Sequence, residues 1–271
     1  MGEHTAVLHQ GRVERTSMGR VMAEQELRDL WLSGRGLAVL LAYTSLLSLN
    51  TYLIAVNQEL NFLEQREAVN LTVQIAVAVG GLLVVLQAAD SISGERERGT
   101  LESLLLTPAP RRSLLIGKGA SAMSLWFVAF IVALPYVWWI GRDVGTFGDA
   151  AVGLFLAGTL LALTLTGVGL LASMFCQSNG MSLALSFFVL LALYAPHQLP
   201  AEASRGWAGE ALLRLDPFTS ALTYLDRLVI NAHSLGQDLG LLVVPLLTAV
   251  LVPGLALALS GRLSLLPRGS R

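Results

Sequence analysis

The sequence predicts an all-α integral membrane protein with six transmembrane helices, and two observations carry that prediction. Of 271 residues, 54% are hydrophobic and only 14% charged, against roughly 25% charged in soluble domains; mean hydropathy is +0.63. Six apolar blocks lie near residues 37–57, 70–89, 119–140, 150–174, 181–196 and 239–260. Most reach the roughly twenty residues that cross a hydrocarbon core of about 30 Å as a helix. A formal net charge of −1 argues against nucleic acid as a partner. The lone Cys176 excludes an internal disulfide or a thiolate metal cluster within one chain.

Residues 1–19 are polar and carry no apolar run followed by a small-residue cleavage pattern, so they read as a flexible tail and not as a secretory signal. Met18 and Met22 leave a later start open. From Arg20 to Ser33 an amphipathic helix is expected. Ala23, Leu27, Leu30 and Trp31 form one stripe, with Arg20, Glu24, Arg28 and Asp29 opposite, and Glu24 and Arg28 stand four apart. Ser33-Gly34-Arg35-Gly36 breaks the pattern before the first block. The helix therefore lies at the interface, separate from the first span. The fifth block is short and ends at Pro196; the simplest count still treats it as a span. Gln177-Ser178-Asn179-Gly180 makes a tight polar turn, so the fourth and fifth spans form an antiparallel hairpin.

Lys and Arg set the orientation. With the N-terminus inside, the cytoplasmic segments hold five before residue 36, five between 96 and 118 and three after 261, against five outside. The bias puts both termini, and the segment from Asp90 to Lys118, in the cytoplasm. Trp138 and Trp139 then fall at the outer interface and Trp31 at the inner one.

The segment 90–118 is the longest densely charged interruption between apolar blocks. Thr100 caps a two-turn helix, Glu102 favours its N-terminus, and Pro108 and Pro110 stop it. Leu101, Leu104 and Leu105 share one face. A ridge that small must bury against the membrane, the rest of the chain or another protein. In the outer segment 197–238, Asp216-Pro217 starts a helix on which Phe218, Ala221, Leu222, Leu225 and Val229 recur at helical spacing, with Asp226 and Arg227 on the other side. This helix is expected to lie on the membrane or cap the bundle.

The spans read as free of Asp, Glu, Lys, Arg and His in their interiors. Ion-driven carriers usually need such a group at depth, so energy for active transport has to come from a soluble partner. The chain's own sequence offers no phosphate loop: Gly117-Lys118 lacks the required glycine at 112 and the hydroxyl at 119. Gly167-x-Gly169-x-x-Ala172 lies inside an apolar block and reads as small-residue helix packing. The four histidines have no metal-ligand spacing. Asn70-Leu71-Thr72 matches a glycosylation sequon by chance at a membrane border. Neutral polar residues do enter the spans. Thr44, Ser48 and Thr51 share a face of the first, and Asn50 and Gln74 are the stronger candidates for a substrate path, because an amide is costly to bury idly.

The run Glu95-x-Glu97-x-Gly99-Thr100-Leu101-Glu102-x-Leu104-Leu105-x-Thr107-Pro108, followed by Arg112 and Gly117-Lys118, closely resembles the cytoplasmic loop of type-2 ABC transporter permeases. The resemblance implies that 90–118 holds a coupling helix seated in a groove of a separate ATP-binding subunit, with Glu95, Glu97, Gly99, Thr100, Leu101, Glu102, Leu104, Leu105 and Pro108 as coupling residues. It further implies an elbow helix before the first span and external helices acting as an outer gate, all within one transmembrane domain from residue 20 to 271. A six-span chain is a half-transporter in that family. It pairs with a second permease, identical or paralogous, and exports a substrate across the cell membrane. ATP and magnesium belong to the partner, and this chain is expected to bind no cofactor or metal and to catalyse nothing alone. The residues leave two rivals open, a channel or carrier needing no partner and an integral membrane enzyme such as a lipid-modifying transferase, and a variant of the main reading in which the complex transmits force without moving solute.

Overall fold

A computed structural model describes residues 21–56, 62–101, 110–198 and 214–262. Among these every regular element is helical. Helix α1 covers 21–32. It is followed by α2 (Arg35–Val56), α3 (Phe62–Glu97), α4 (Arg111–Gly141), α5 (Phe147–Phe175), α6 (Asn179–Tyr194), α7 (Pro217–Val229) and α8 (Val243–Ala258). Single 3₁₀ turns extend α6 to Gln198, lead into α8 from Leu239 and follow α8 to Arg262. Among the described residues, six helices are long and apolar enough to cross a membrane; the fifth, Asn179–Gln198, reaches 20 residues despite its short apolar block.

Helices α3 and α5 are the axis of the bundle. More than half of the most apolar stretch of each is buried inside the chain, whereas α2, α6 and α8 bury less than a quarter and turn most of their surface outward. Small residues let the two central helices meet closely. A Cβ on Gly169 would come within 2.6 Å of the Val85 carbonyl oxygen, and one on Gly167 within 2.6 Å of the Pro253 nitrogen in α8. The two glycines thus serve helix packing, as their place in an apolar block suggests. Trp126 of α4, 1% exposed, lies against Gly80 of α3 and Gly158 of α5, and its indole N–H donates to Thr159 Oγ1 at 3.0 Å. The buried ring therefore keeps a partner for its polar atom.

Three expectations need correcting. The apolar blocks understate the helices: α3 runs on through Asp90–Glu97, and α4 begins at Arg111. Most of the 90–118 interruption is helix. Hydropathy ends where charges begin, but Glu and Arg are good helix formers and continue the backbone ladder. Second, α7 starts with Asp216 as its cap, whose Oδ2 accepts the Thr219 N–H at 2.6 Å, and Pro217 at its first turn. It does not lie on a surface, however. Pro217 through Leu222, Tyr224, Leu225, Leu228 and Val229 are all buried, so α7 is sheathed by neighbouring helices. Third, Lys118 is not part of a solvated loop; its side chain is 1% exposed.

Candidate functional site

Sequence and backbone together explain how α3 ends. Gly99 adopts φ +72°, the left-handed conformation that glycine reaches without Cβ strain. The Thr100 N–H donates to the Glu95 carbonyl at 3.0 Å and the Gly99 N–H to the Arg96 carbonyl at 3.2 Å. These are the paired bonds of a Schellman stop, which turns the chain off the helix axis and satisfies carbonyls left open at the C-terminus. Gly99 and Thr100 thus have a structural reason for their places. Leu101 is 5% exposed and belongs to the chain's own core. Glu102, Leu104, Leu105 and Pro108 lie outside the described residues.

Behind this stop, three elements converge on one cation. Lys118 Nζ on α4 donates to Glu95 Oε1 on α3 at 2.5 Å and to Glu26 Oε1 on α1 at 2.9 Å. An ammonium that is out of water has to be compensated by charge and hydrogen bonds; here two carboxylates, only 18% and 22% exposed, provide both. Helix α1 shows the expected stripes, with Leu30 buried and Glu24, Arg28 and Asp29 exposed, and Arg28 pairs with Glu24 at 2.8 Å. Its Trp31 indole donates to Ser124 Oγ at 3.2 Å, a second tie to α4.

A further set of polar contacts fastens α3 to the turn between α5 and α6. Asn179 Nδ2 donates to Asp90 Oδ1 at 2.7 Å, and the Asn179 N–H to Glu97 Oε2 at 3.3 Å. Arg96 donates to the carbonyls of Cys176 and Met174 at the end of α5, where a cation favours the helix dipole. Of the sequence candidates, Glu95 and Glu97 are therefore engaged within the chain.

The opposite end of α3 holds the other polar cluster. Asp226 Oδ1 on α7 accepts from Asn70 Nδ2 at 2.6 Å and from Gln74 Nε2 at 2.8 Å, about two and three turns into α3 from Phe62. Arg66 also donates to the Ile230 carbonyl at 3.1 Å. The absence of ionisable groups read from the spans alone is thus incomplete, because α7 carries a carboxylate against α3. The other pathway candidates are dispersed. Asn50 donates to Thr72 Oγ1 at 3.0 Å, Ser48 Oγ lies 2.8 Å from the Tyr136 hydroxyl, and Thr44 donates to the Leu40 carbonyl at 2.7 Å. Thr51 Oγ1 is buried without a partner among the described residues. Gln74 alone joins the Asp226 cluster.

Lys118, Glu26, Asp90, Asn179 and Asp226 were not singled out by sequence. For Lys118 a signal existed: a lysine that follows Leu114-Leu115-Ile116 and opens an apolar block needs a carboxylate partner if that block is buried. For Asn179 and Asp226 none did.

The whole arrangement, from the first residue before α1 to the last after α8, falls within residues 20–262, which match the model of the ABC-2 family transporter proteins. The chain belongs to the ABC-2 transporter family. No curated protein matches it. It is a multi-pass membrane protein of the permease type, and the run from Glu95 to Pro108 that resembles the type-2 loop lies within the matched range.

Proposed function

We propose that this ABC-2 permease couples ATP hydrolysis by a separate ATP-binding subunit to export of a substrate across the cell membrane, as one half of a dimer of identical or paralogous permeases. Both termini and the 90–118 segment face the cytoplasm, in keeping with the Lys and Arg bias. The observation that carries the reading is the length of α3. Thirty-six residues at 1.5 Å each make a rod of roughly 54 Å, well beyond a core of about 30 Å. In this reading its charged end stands clear of the bilayer, and Thr100 and Leu101, the first residues after the Gly99 stop, lie at its tip, on the side from which a soluble subunit would press.

Glu102, Leu104 and Leu105 are the contact residues in this reading, while Gly99 and Leu101 hold the segment in position. Asp226 supplies an ionisable group at depth, so the energy source is argued from family and stalk and not from a lack of charge. The test is co-expression with the ATP-binding subunit. Alanine at Glu102, Leu104 and Leu105 should leave the permease folded and lower co-purification and permease-stimulated hydrolysis at least tenfold. Undiminished stimulation in the triple variant would refute the coupling assignment.

A further inference from the structure

The turn between α5 and α6 is tied to α3 by side-chain and backbone hydrogen bonds. Asn179, the first residue of α6, reaches three residues of α3: its Nδ2 donates to Asp90 Oδ1 at 2.7 Å, its Oδ1 accepts from Ser93 Oγ at 3.0 Å, and its backbone N–H donates to Glu97 Oε2 at 3.3 Å. Residues 90, 93 and 97 recur at helical spacing and form one face. One residue therefore holds α3 in register over two turns, its side chain on Asp90 and Ser93 and its backbone on Glu97, and resists both rotation and sliding. The amide orientation follows from the partners, since a carboxylate only accepts and must face the NH₂ group.

The contacts continue toward the tip. Asp90 also pairs with Arg98 Nη2 at 3.6 Å, the residue immediately before Gly99. On the other side of the turn, Ser173 Oγ accepts the N–H groups of Ile92 and Ser93 at 2.9 and 2.8 Å, binding the end of α5 to the backbone of α3. A polar network with every member satisfied is stiff and transmits displacement.

We propose that Asn179 is a positioning residue that carries movement of the charged end of α3 to the α5–α6 hairpin, so that one push displaces both α3–α4 and α5–α6. The inference rests on the coupling reading above, and the experiment separates the two. The permease with its ATP-binding subunit is reconstituted in nanodiscs in a Cys176→Ser background, which keeps the Cys176 carbonyl that Arg96 binds. One fluorophore sits at Phe188→Cys on α6 and, in a second preparation, one at Ile116→Cys on α4; both native side chains are exposed. The probe is magnesium-ATP with vanadate.

Both sites should respond in the parent complex. Asn179→Ala should cut the Phe188 response at least fivefold and leave the Ile116 response within twofold. Combining Asp90→Asn with Asn179→Asp, which exchanges donor and acceptor, should restore at least half of it. If Asn179→Ala fails to assemble, Asn179→Ser carries the same comparison. An unchanged Phe188 response, an equal loss at both sites, or no recovery in the double variant would each overturn the assignment. If neither site responds in the parent complex, the coupling reading fails and this inference with it.

Discussion

The two ends of α3 are built differently. At the charged end, Lys118 is enclosed by Glu95 and Glu26, Asn179 spans Asp90 to Glu97, and α1, α3, α4 and the α5–α6 turn are joined through side chains with opposite charge or matched polarity. At the far end a single carboxylate, Asp226, takes two neutral amides, and Asn70 Oδ1 and Arg66 Nε are buried without partners among the described residues. Glu95 Oε2 at the charged end is likewise buried without a partner among the described residues, so the ends differ in charge and not in saturation: breaking a buried ion pair costs more than breaking an amide–carboxylate hydrogen bond. The same helix is thus fixed by full opposite charges where force is proposed to enter and by a single carboxylate where α7 lies against it.

The largest effect should come from breaking the charged end. Lys118→Ala leaves Glu26 and Glu95 with no cation between them, and removing one partner of a buried ion pair costs about 3–5 kcal/mol. The thermal unfolding midpoint of the purified permease in detergent should fall accordingly. Most of the loss should return when Lys118→Met is combined with Glu26→Gln and Glu95→Gln, because the penalty comes from uncompensated charge. A shift from Lys118→Ala no larger than that from Asp226→Ala would undo the contrast between the ends.

At the far end, Asp226→Ala strands the amides of Asn70 and Gln74, at about 1–3 kcal/mol for unsatisfied buried groups. Asp226→Asn should cost less, since an amide oxygen still accepts. In the complex, Asp226→Ala should also raise the nucleotide-free exposure of α7, read by labelling at Thr223→Cys. Should labelling stay at the parent level while stability drops, the cluster holds the fold without holding α7 in place.

How far the sequence disclosed these ends follows from the range of the interactions. The spans were legible because apolar length is a local property, and so were the cap at Asp216 and the stripes of α1. The extent of α3 was hidden, since Asp90 to Glu97 are too polar for a hydropathy reading though fully competent for a helix. Lys118 looked like a loop cation because its partners lie 92 and 23 residues away. Asp226 looked like a solvated face of α7 because its amides are 156 and 152 residues distant. The argument that a buried amide needs a purpose put Asn50 and Gln74 forward for a substrate path; in the fold they are hydrogen-bonded to Thr72 and Asp226, partners that one chain of letters does not name.

Next in expected size, at or below the far end, stands Gly99. An alanine there is forced into left-handed backbone, at roughly 1–2 kcal/mol, and the cost falls on the stop that ends α3. Gly99→Ala should therefore lower partner-stimulated hydrolysis more than it lowers the unfolding midpoint. Gly145, also at positive φ (+67°) but in the turn between α4 and α5, supplies the control: Gly145→Ala should strain the backbone comparably and leave stimulation intact. Equal effects on stimulation would mean that Gly99 matters only as a turn.

The smallest effect belongs to a third polar group, in the loop between α7 and α8. Asp238 meets His233 Nδ1 at 2.7 Å and Arg227 Nη1 at 2.6 Å, and these hydrogen bonds, His233 first, hold its carboxyl below the ordinary carboxylate range. A lowered folded-state value means that the pair stabilises the fold fully above the unfolded value of about 3.9 and stops doing so as pH falls through the folded value. Comparing Asp238→Asn with its parent, both in a His233→Gln background to remove the second titrating group, isolates the pair with Arg227. The difference in unfolding midpoint should be level from pH 7 to about 4 and shrink below that, since a protonated Asp238 is no better a partner for Arg227 than an asparagine. It should also shrink with added salt, because Arg227 is partly exposed and its field is screened, whereas the Lys118 effect at the buried end should not. A gap that widened on acidification would mean that Asp238 is held by its hydrogen bonds as a neutral acid, and the electrostatic account of this loop would have to be abandoned.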